Sequence, residues 1–281
     1  MKVKKYKPGM KLEGFILDMP NDVYHASAGI SKSGLDLISR SPAHYFLAPT
    51  KEPTRNMILG SATHSAILEP EKFASDYLLL RDIKDRRASA YKEAIKAHNP
   101  DYVLTGPEAD RVTGMQESIS TNSLLKSLID EIKYTEVSLF LNRNGVTYKC
   151  RFDAITKNGS ILDLKTTQDA RFEAFSRSIF NYRYHVQAAY YSDLFEAAAG
   201  AQADFIFLAV ESEPPHASKV YRLDSISMEI GREAYKNDLE VYKQCFKSNL
   251  WPAYEQNNEP DLIALPEWAI MDYESDADLM I

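Results

Sequence analysis

The strongest constraint on the fold is a pair of turn signals set in one long run of alternating residues. Asn144-Gly145 is the most decisive short hairpin signal, because a two-residue type I′ loop needs positive φ at both positions and Asn and Gly supply it. Residue 143 then pairs with 146, opposed residues sum to 289, and Glu136 falls across from Asp153. The second turn, Lys157-Asn158-Gly159, allows a two- or three-residue loop. Three residues with Gly159 left-handed pair 156 with 160, so that Asp153 faces Asp163. A two-residue loop sends the aspartates to opposite faces, since a one-residue slip flips every side chain. Alternation favours the longer loop. Val146, Tyr148, Cys150 and Phe152 then share one face with Leu162 and Leu164, and Thr147, Lys149, Arg151, Asp153, Asp163 and Lys165 take the other.

This register sets Glu136, Asp153 and Asp163 in one row. Directly opposed side chains lie roughly 4.5–5.5 Å apart at Cβ, and like charges there are destabilising. Three acids in a row therefore call for a cation, and hard oxygen ligands suit Mg²⁺ or Mn²⁺, one or two per site. Lys165, two residues past Asp163, shares its face and is placed to orient a water nucleophile or to stabilise a phosphoryl oxygen. A solvated sheet face is the competing reading of the same acids. A D-x-K triplet is weak alone, and the chain holds others at Asp82-Ile83-Lys84 and, with glutamate, Glu131-Ile132-Lys133. Neither follows a hairpin carrying an acid on the matching face.

Elsewhere the pattern is helical before this meander and mixed after it. Residues 29–46 read as a short helix capped by Ser31 or Ser33 and ended before Pro42. Residues 56–70 read as a helix with small residues at Gly60, Ser61, Ala62, Ser65 and Ala66. Segments 84–98 and 107–130 are helical, with Thr105 and Glu108 spaced as a capping box. Strands are expected near 134–142, 146–154 and 160–166, and helices near 170–179 and 182–198, the second closed by Gly200. Residues 203–210 are apolar on both faces, as in a buried central strand, followed by an edge strand near 219–223 and a helix near 225–247. The order is that of an α/β protein.

At 281 residues and 44% hydrophobic, the chain can bury a large core. It has no run of 18 apolar residues and begins "MKVKKYKPGM" without an apolar signal-peptide core, so the expectation is a soluble, cytoplasmic protein with no membrane partner. Two cysteines, Cys150 and Cys245, are too few for a disulfide framework, an all-cysteine zinc site or a four-cysteine iron–sulfur cluster, and both read as thiols. The net charge of −7 is unevenly spread: eight acids and no Lys or Arg follow Lys247, which leaves residues 1–247 at +1. A basic groove for a polyanion is compatible with that balance. The tail also carries "LIALPEWAIM" (262–271), read as docking on a partner or as ordinary C-terminal packing.

Several other residues have two readings each. His64, on a helix of small residues, is a metal ligand or a hydrogen-bonded core histidine. Gln187 and Tyr191 are i, i+4 on one helix face, as a functional pair or as a surface amide beside a packed ring. Ser31 and Ser33 cap a helix or bind a phosphate at its N-terminus. Arg151, Arg171, Arg177 and Arg183 track a nucleic-acid backbone or are scattered solvated charges.

Together, "YHASAGISKSGLDLISRSPAHY", "LGSATHSAILEPEKF", "RFDAI", "ILDLKTT" and "YRYHVQAAYYSD", spread over about 24–195, resemble the PD-(D/E)xK nuclease superfamily. Within it they are similar to the RecE-type nuclease domain of phage and prophage exonuclease VIII. The resemblance implies a restriction-endonuclease-like core, an antiparallel three-strand meander plus further strands flanked by helices. It implies one nuclease domain over 1–281, with N-terminal helical elements (about 1–130), a catalytic core (about 131–223) and a C-terminal helix with an acidic tail (about 224–281). By the same carry-over His64, Asp153, Asp163 and the backbone carbonyl of Leu164 hold metal, Glu136 is the acid of the first strand, Lys165 orients water, and Gln187 and Tyr191 place the scissile strand. The expected activity is a Mg²⁺-dependent exonuclease on ends of double-stranded DNA, from 5′ to 3′. The expected assembly is a homo-oligomeric ring working beside a RecT-like single-strand annealing protein in recombination. An endonuclease or flap nuclease of the same superfamily, and an inactive DNA-binding scaffold, are the alternatives.

Overall fold

The computed structural model describes residues 1–49, 52–254 and 259–267. The chain runs through β1 (Val3–Lys5), β2 (Gly14–Leu17), α1 (Asn21–Ala26), α2 (Lys32–Arg40), α3 (Pro42–Phe46), α4 (Arg55–Leu68), α5 (Pro70–Asp76) and β3 (Leu78–Leu80). It continues through α6 (Ser89–Ala97), β4 (Val103–Thr105), α7 (Gly106–Thr121) and α8 (Ser123–Asp130), then the long strands β5 (Ile132–Arg143), β6 (Val146–Thr156) and β7 (Ile161–Thr167). Last come α9 (Phe172–Asn181), α10 (Tyr184–Ala199), β8 (Phe205–Glu211), β9 (Ser218–Tyr221) and α11 (Ser225–Ser248).

Both central turns close as their residues dictate. Asn144 and Gly145 have φ of 52° and 80°, the positive pair of a type I′ turn, and Arg143 pairs with Val146. Gly159 has φ of 91° and its N–H donates to the Thr156 carbonyl at 3.0 Å. The connection is the three-residue one, and Ile155 pairs with Ile161 and Ala154 with Leu162.

Seven strands form a mixed sheet in the order β1-β2-β5-β6-β7-β8-β9. The β5-β6-β7 meander is its middle, and β8 runs parallel to β7 after the α9–α10 crossover. Helices cover both faces. On one, α10 and α11 enclose Phe152, Tyr190 and Phe207; on the other, α4, α7 and α8 enclose Ile67, Met115, Leu164 and Leu208. The β8 run is apolar throughout for this reason: Phe205, Phe207 and Ala209 enter the first core, and Ile206, Leu208 and Val210 the second.

Helix ends follow their caps. Ser31 accepts the Gly34 N–H at 3.2 Å, Ser41 caps α3 at Pro42, Thr105 and Glu108 make the capping box of α7, and Gly200 ends α10 with φ of 72°. The region before residue 131 is not helical throughout. There β2 joins the main sheet antiparallel to β5, with Phe15 opposite Leu139, β1 pairs with β2, and β3 and β4 form a second small sheet. Strands of three or four residues are too short to show a period of two.

One expectation about faces fails. Leu162 and Leu164 do not join Val146, Tyr148, Cys150 and Phe152; they lie in the core on the opposite side of the sheet. The pleat changes phase at the Glu136–Asp153 rung, so that Phe152 enters one core and Ala154, two residues on, enters the other. Glu136 is in the left-handed region with φ of 49°, a conformation that costs a non-glycine residue roughly 1–2 kcal/mol. Past Ala154–Leu162 the strands β6 and β7 part, and the Leu164 N–H donates to Asp153 Oδ2 at 2.9 Å in place of a ladder bond.

In the tail, Leu262, Ile263 and Leu265 are exposed, so this part of the "LIALPEWAIM" segment does not pack on the core; residues 268–271 lie outside the described residues. Among the described residues no helix is long and apolar enough to cross a membrane. Both cysteines are free.

Candidate active site

The phase change at Glu136 and Asp153 is what builds the site. It turns the Glu136 and Asp153 carboxylates toward α4, where His64 follows the small residues Gly60 and Ser61. One ligand atom each from His64, Glu136 and Asp153 lies within 4.8 Å of the other two, and His64 Nδ1 stands 3.4 Å from Asp153 Oδ2. The Leu164 backbone lies beside the same imidazole. Asp163 stands beside this group in a different setting. It is 2% exposed, accepts from Gln187 Nε2 at 2.6 Å through Oδ1, and holds Lys165 Nζ at 2.6 Å through Oδ2. Lys165 Nζ in turn lies 4.8 Å from the centre of the Tyr184 ring.

Burial dominates the electrostatics. It pushes the Glu136 carboxyl up to about 7, with repulsion from Asp153 adding to the rise. Burial also raises Asp153, and lifts Asp163 to about 6 against the pull of Lys165. For Lys165 burial works against the charge, and the two aspartates outweigh it to give a raised pKa. His64 is pushed down to about 4, first by burial and then by the Lys165 charge, so near neutrality its imidazole is neutral and free to donate a lone pair. Crowded carboxylates beside a neutral imidazole are a donor set that suits Mg²⁺ or Mn²⁺, and a cation relieves the repulsion that raises Glu136. The residues present therefore fit a divalent metal, with the Leu164 backbone at hand.

A groove runs through the group. On one side, in a cavity of about 550 Å³, Ser31, Ser33, Arg151, Gln187 and Tyr191 join Glu136 and Asp153 along its wall. On the other, Ser61, Glu69 and Lys72 do so. Ser31 and Ser33 share a hydrogen bond at 3.0 Å. Tyr191 packs edge-on against Phe152 at 5.5 Å. Arg151 is anchored by Ser138 Oγ at 3.0 Å and the Met19 carbonyl at 2.9 Å, with Glu136 at 3.9 Å.

Two of the arginines proposed from sequence stand elsewhere. Arg171 pairs with Asp169 on its own loop at 2.6 Å. Arg183 has φ of 53° and is committed to Asp238 and Asp36, at 2.5 and 3.5 Å, tying α10 to α11 and α2. Residues the sequence did not single out also shape the site. Lys149 Nζ donates to the carbonyls of Tyr24 and Ser27 at 3.0 and 2.6 Å, fastening α1 to β6 beside the groove. Tyr184 lay within a quoted segment, but its contact with Lys165 carries no local signal.

A family described as a PDDEXK-like domain of unknown function (DUF3799) matches residues 31–259. The chain belongs to this family. The α/β sheet with its flanking helices is the PDDEXK-like fold. A crystal structure of a "Putative exonuclease" from Eubacterium rectale superposes with a TM-score of 0.61 at 11% identity, covering 92% of this chain and 98% of that one. That likeness shows a shared fold. A second solved structure, SSO0001, covers 72% of this chain and 97% of its own at 20% identity, with a TM-score of only 0.27. No curated protein matches the sequence.

Proposed function

We propose that this PDDEXK-like protein is a metal-dependent exodeoxyribonuclease that hydrolyses phosphodiester bonds of linear double-stranded DNA from 5′ ends. The observation that carries the reading is the His64, Glu136 and Asp153 group, gathered within 4.8 Å beside a buried Asp163–Lys165 pair. His64, Glu136, Asp153, Asp163 and the Leu164 carbonyl are the residues that would hold the metal. A divalent cation bound there supplies Lewis-acid stabilisation of the phosphoryl oxygens and a more acidic water. Lys165, kept charged by Asp163, orients the attacking water and offers positive charge to the phosphoryl group. Gln187 fixes the Asp163 carboxylate, and Tyr191 with Arg151, Ser31 and Ser33 lines the path of the strand.

Choice of exonuclease over endonuclease is supported by the resemblance to RecE-type exonuclease VIII, and the shared fold of the Eubacterium rectale protein is compatible with it. The same resemblance alone supports Mg²⁺ as the metal, a ring-shaped homo-oligomer, a RecT-like annealing partner and a cytoplasmic, phage-type recombination role. The exposed apolar residues Leu262, Ile263 and Leu265 offer a contact for such a partner.

The test is digestion of linear against covalently closed circular duplex with Mg²⁺. An exonuclease consumes the first and spares the second, and cutting of circles would favour the endonuclease reading. Lys165→Ala should fold and bind DNA yet lose cleavage by ~10²-fold or more, the scale of a positioned proton-transfer group. Near-wild-type digestion by that variant would sink the assignment.

A further inference from the structure

Among the glycines of the described helices, Gly34, Gly106, Gly114 and Gly231 each have a packing reason to lack a side chain. A Cβ there would meet Ile30 Cδ1 at 2.8 Å, the Arg81 carbonyl oxygen at 2.2 Å, the His216 ring at 2.5 Å and the His185 carbonyl oxygen at 2.2 Å, respectively. Gly60 has none. The nearest atom to a Cβ at 60 is Thr166 Oγ1 at 3.8 Å, an ordinary contact. A glycine inside a helix costs about 0.5–1 kcal/mol relative to alanine, and at this position packing does not ask for it.

What Gly60 does is border two cavities. It stands one turn before His64 on the same face of α4 and lines the groove of the metal-competent group. It also lines a cavity of about 760 Å³ at the Thr166 end of β7, a size within the ~300–1,000 Å³ of ligand sites. Arg177, Tyr182 and Tyr184 wall this second cavity. Tyr182 is 62% exposed and stacks on Tyr184 at 5.5 Å, the ring that carries Lys165 on it. Arg177 lies near the Asp169 carboxylate on the same wall, which is itself paired with Arg171 at 2.6 Å.

We propose that this second cavity is a strand-binding site for nucleic acid. It holds nucleotides flanking the scissile phosphate, with a base on the open face of Tyr182 and a phosphate at Arg177. The strand reaches His64, Glu136 and Asp153 through the gap left by Gly60. The inference rests on the nuclease reading for its choice of ligand. A molecule that spans both cavities must be linear, must offer flat faces to an exposed ring and anions to a guanidinium, and must bring a phosphodiester past Lys165. Single-stranded nucleic acid meets all three demands, since base–aromatic stacking tolerates any sequence and the backbone is a regular run of anions.

The test measures binding without cleavage. Fluorescence anisotropy of a fluorescein-labelled oligothymidylate, with EDTA present, is compared for the wild-type protein, Tyr182→Ala and Gly60→Leu. Each variant should weaken binding roughly tenfold, the scale of one lost stacking platform, while Gly60→Ala melts at or above the wild-type temperature because its Cβ fits. Wild-type affinity in Tyr182→Ala overturns the platform, wild-type affinity in Gly60→Leu overturns the path, and no oligonucleotide binding by the wild-type protein overturns both. Digestion of linear duplex by the wild-type protein is scored separately. If it is seen and both variants bind normally, only the strand site falls; if it is absent and the variants still lose binding, the nuclease reading falls and the strand site stands.

Discussion

Replacing Glu136 with Gln keeps the size of the side chain and its backbone conformation but removes the charge that faces Asp153, so the metal-free protein should become more stable. In the folded protein the Glu136 carboxyl is pushed up from 4.5 to about 7, by burial and then by Asp153. At about 1.36 kcal/mol per unit the whole rise corresponds to roughly 3 kcal/mol. The side chain is 34% exposed, and solvent screening reduces this to ~1–2 kcal/mol. The sign follows from proton uptake. Between pH 4.5 and about 7 the folded state binds more protons at this site than the unfolded chain, so its contribution is most favourable below 4.5 and is lost as pH rises to 7. Glu136→Gln should therefore match the wild type near pH 4.5 and exceed it at pH 8. At about 2–4 °C per kcal/mol for a domain of this order of size, the gain in Tm is roughly 2–8 °C. Thermal melts by circular dichroism in EDTA at the two pH values measure it. Added Mg²⁺ or Mn²⁺ should then stabilise the wild type more than the variant, because only the wild type offers the full ligand set. A gap between the proteins that is the same at both pH values, or a variant less stable at pH 8, would show that Glu136 carries no unrelieved charge and refute the reasoning.

Two further substitutions test the support around the site. Gly231→Ala places a Cβ 2.2 Å from the His185 carbonyl oxygen and must push α11 off α10; overpacking of this kind costs typically 1–3 kcal/mol, and an unchanged urea midpoint would mean the helices do not approach so closely. Gln187→Leu removes the donor to Asp163 Oδ1, with an expected loss of about 1–3 kcal/mol. That loss should be larger at pH 8 than at pH 5, because Asp163, with a pKa of about 6, is ionised only at the higher pH and then needs the donor most. Equal losses at both would argue that the bond serves packing alone.

How much was legible beforehand depended on how near in sequence the cause lay. Asn144-Gly145 and Gly159 settle their turns through their own φ angles, and the two turns settle the register of three strands. Ser31, Thr105 with Glu108, and Gly200 end their helices through contacts a few residues away. The β8 run advertises burial on both sides by composition. The strands β1 and β2 carried no such signal, since Phe15 finds its partner Leu139 far along the chain and each strand is too short to display a period. Arg183 looked like a candidate for a phosphate because its partners, Asp36 and Asp238, come from helices at opposite ends of the sequence.

The same division holds within the site. Turn chemistry and alternation in the amino-acid chain were enough to set the registers that pair Thr135 with Ala154 and Ala154 with Leu162, which bring Glu136, Asp153 and Asp163 near one another, and to put Lys165 beside Asp163, because these relations depend on φ preferences and a two-residue repeat. Folding in three dimensions decided which acids work together. The pleat reverses phase at Glu136 and Asp153, a left-handed glutamate and a strand parted around a carboxylate, and this sends Leu162 and Leu164 to the opposite core and swings two acids toward His64 on a distant helix. No local pattern could encode that step, since it depends on His64 of α4 and Asp153 of β6 meeting Glu136 of β5 and on the Leu164 N–H of β7 donating to Asp153.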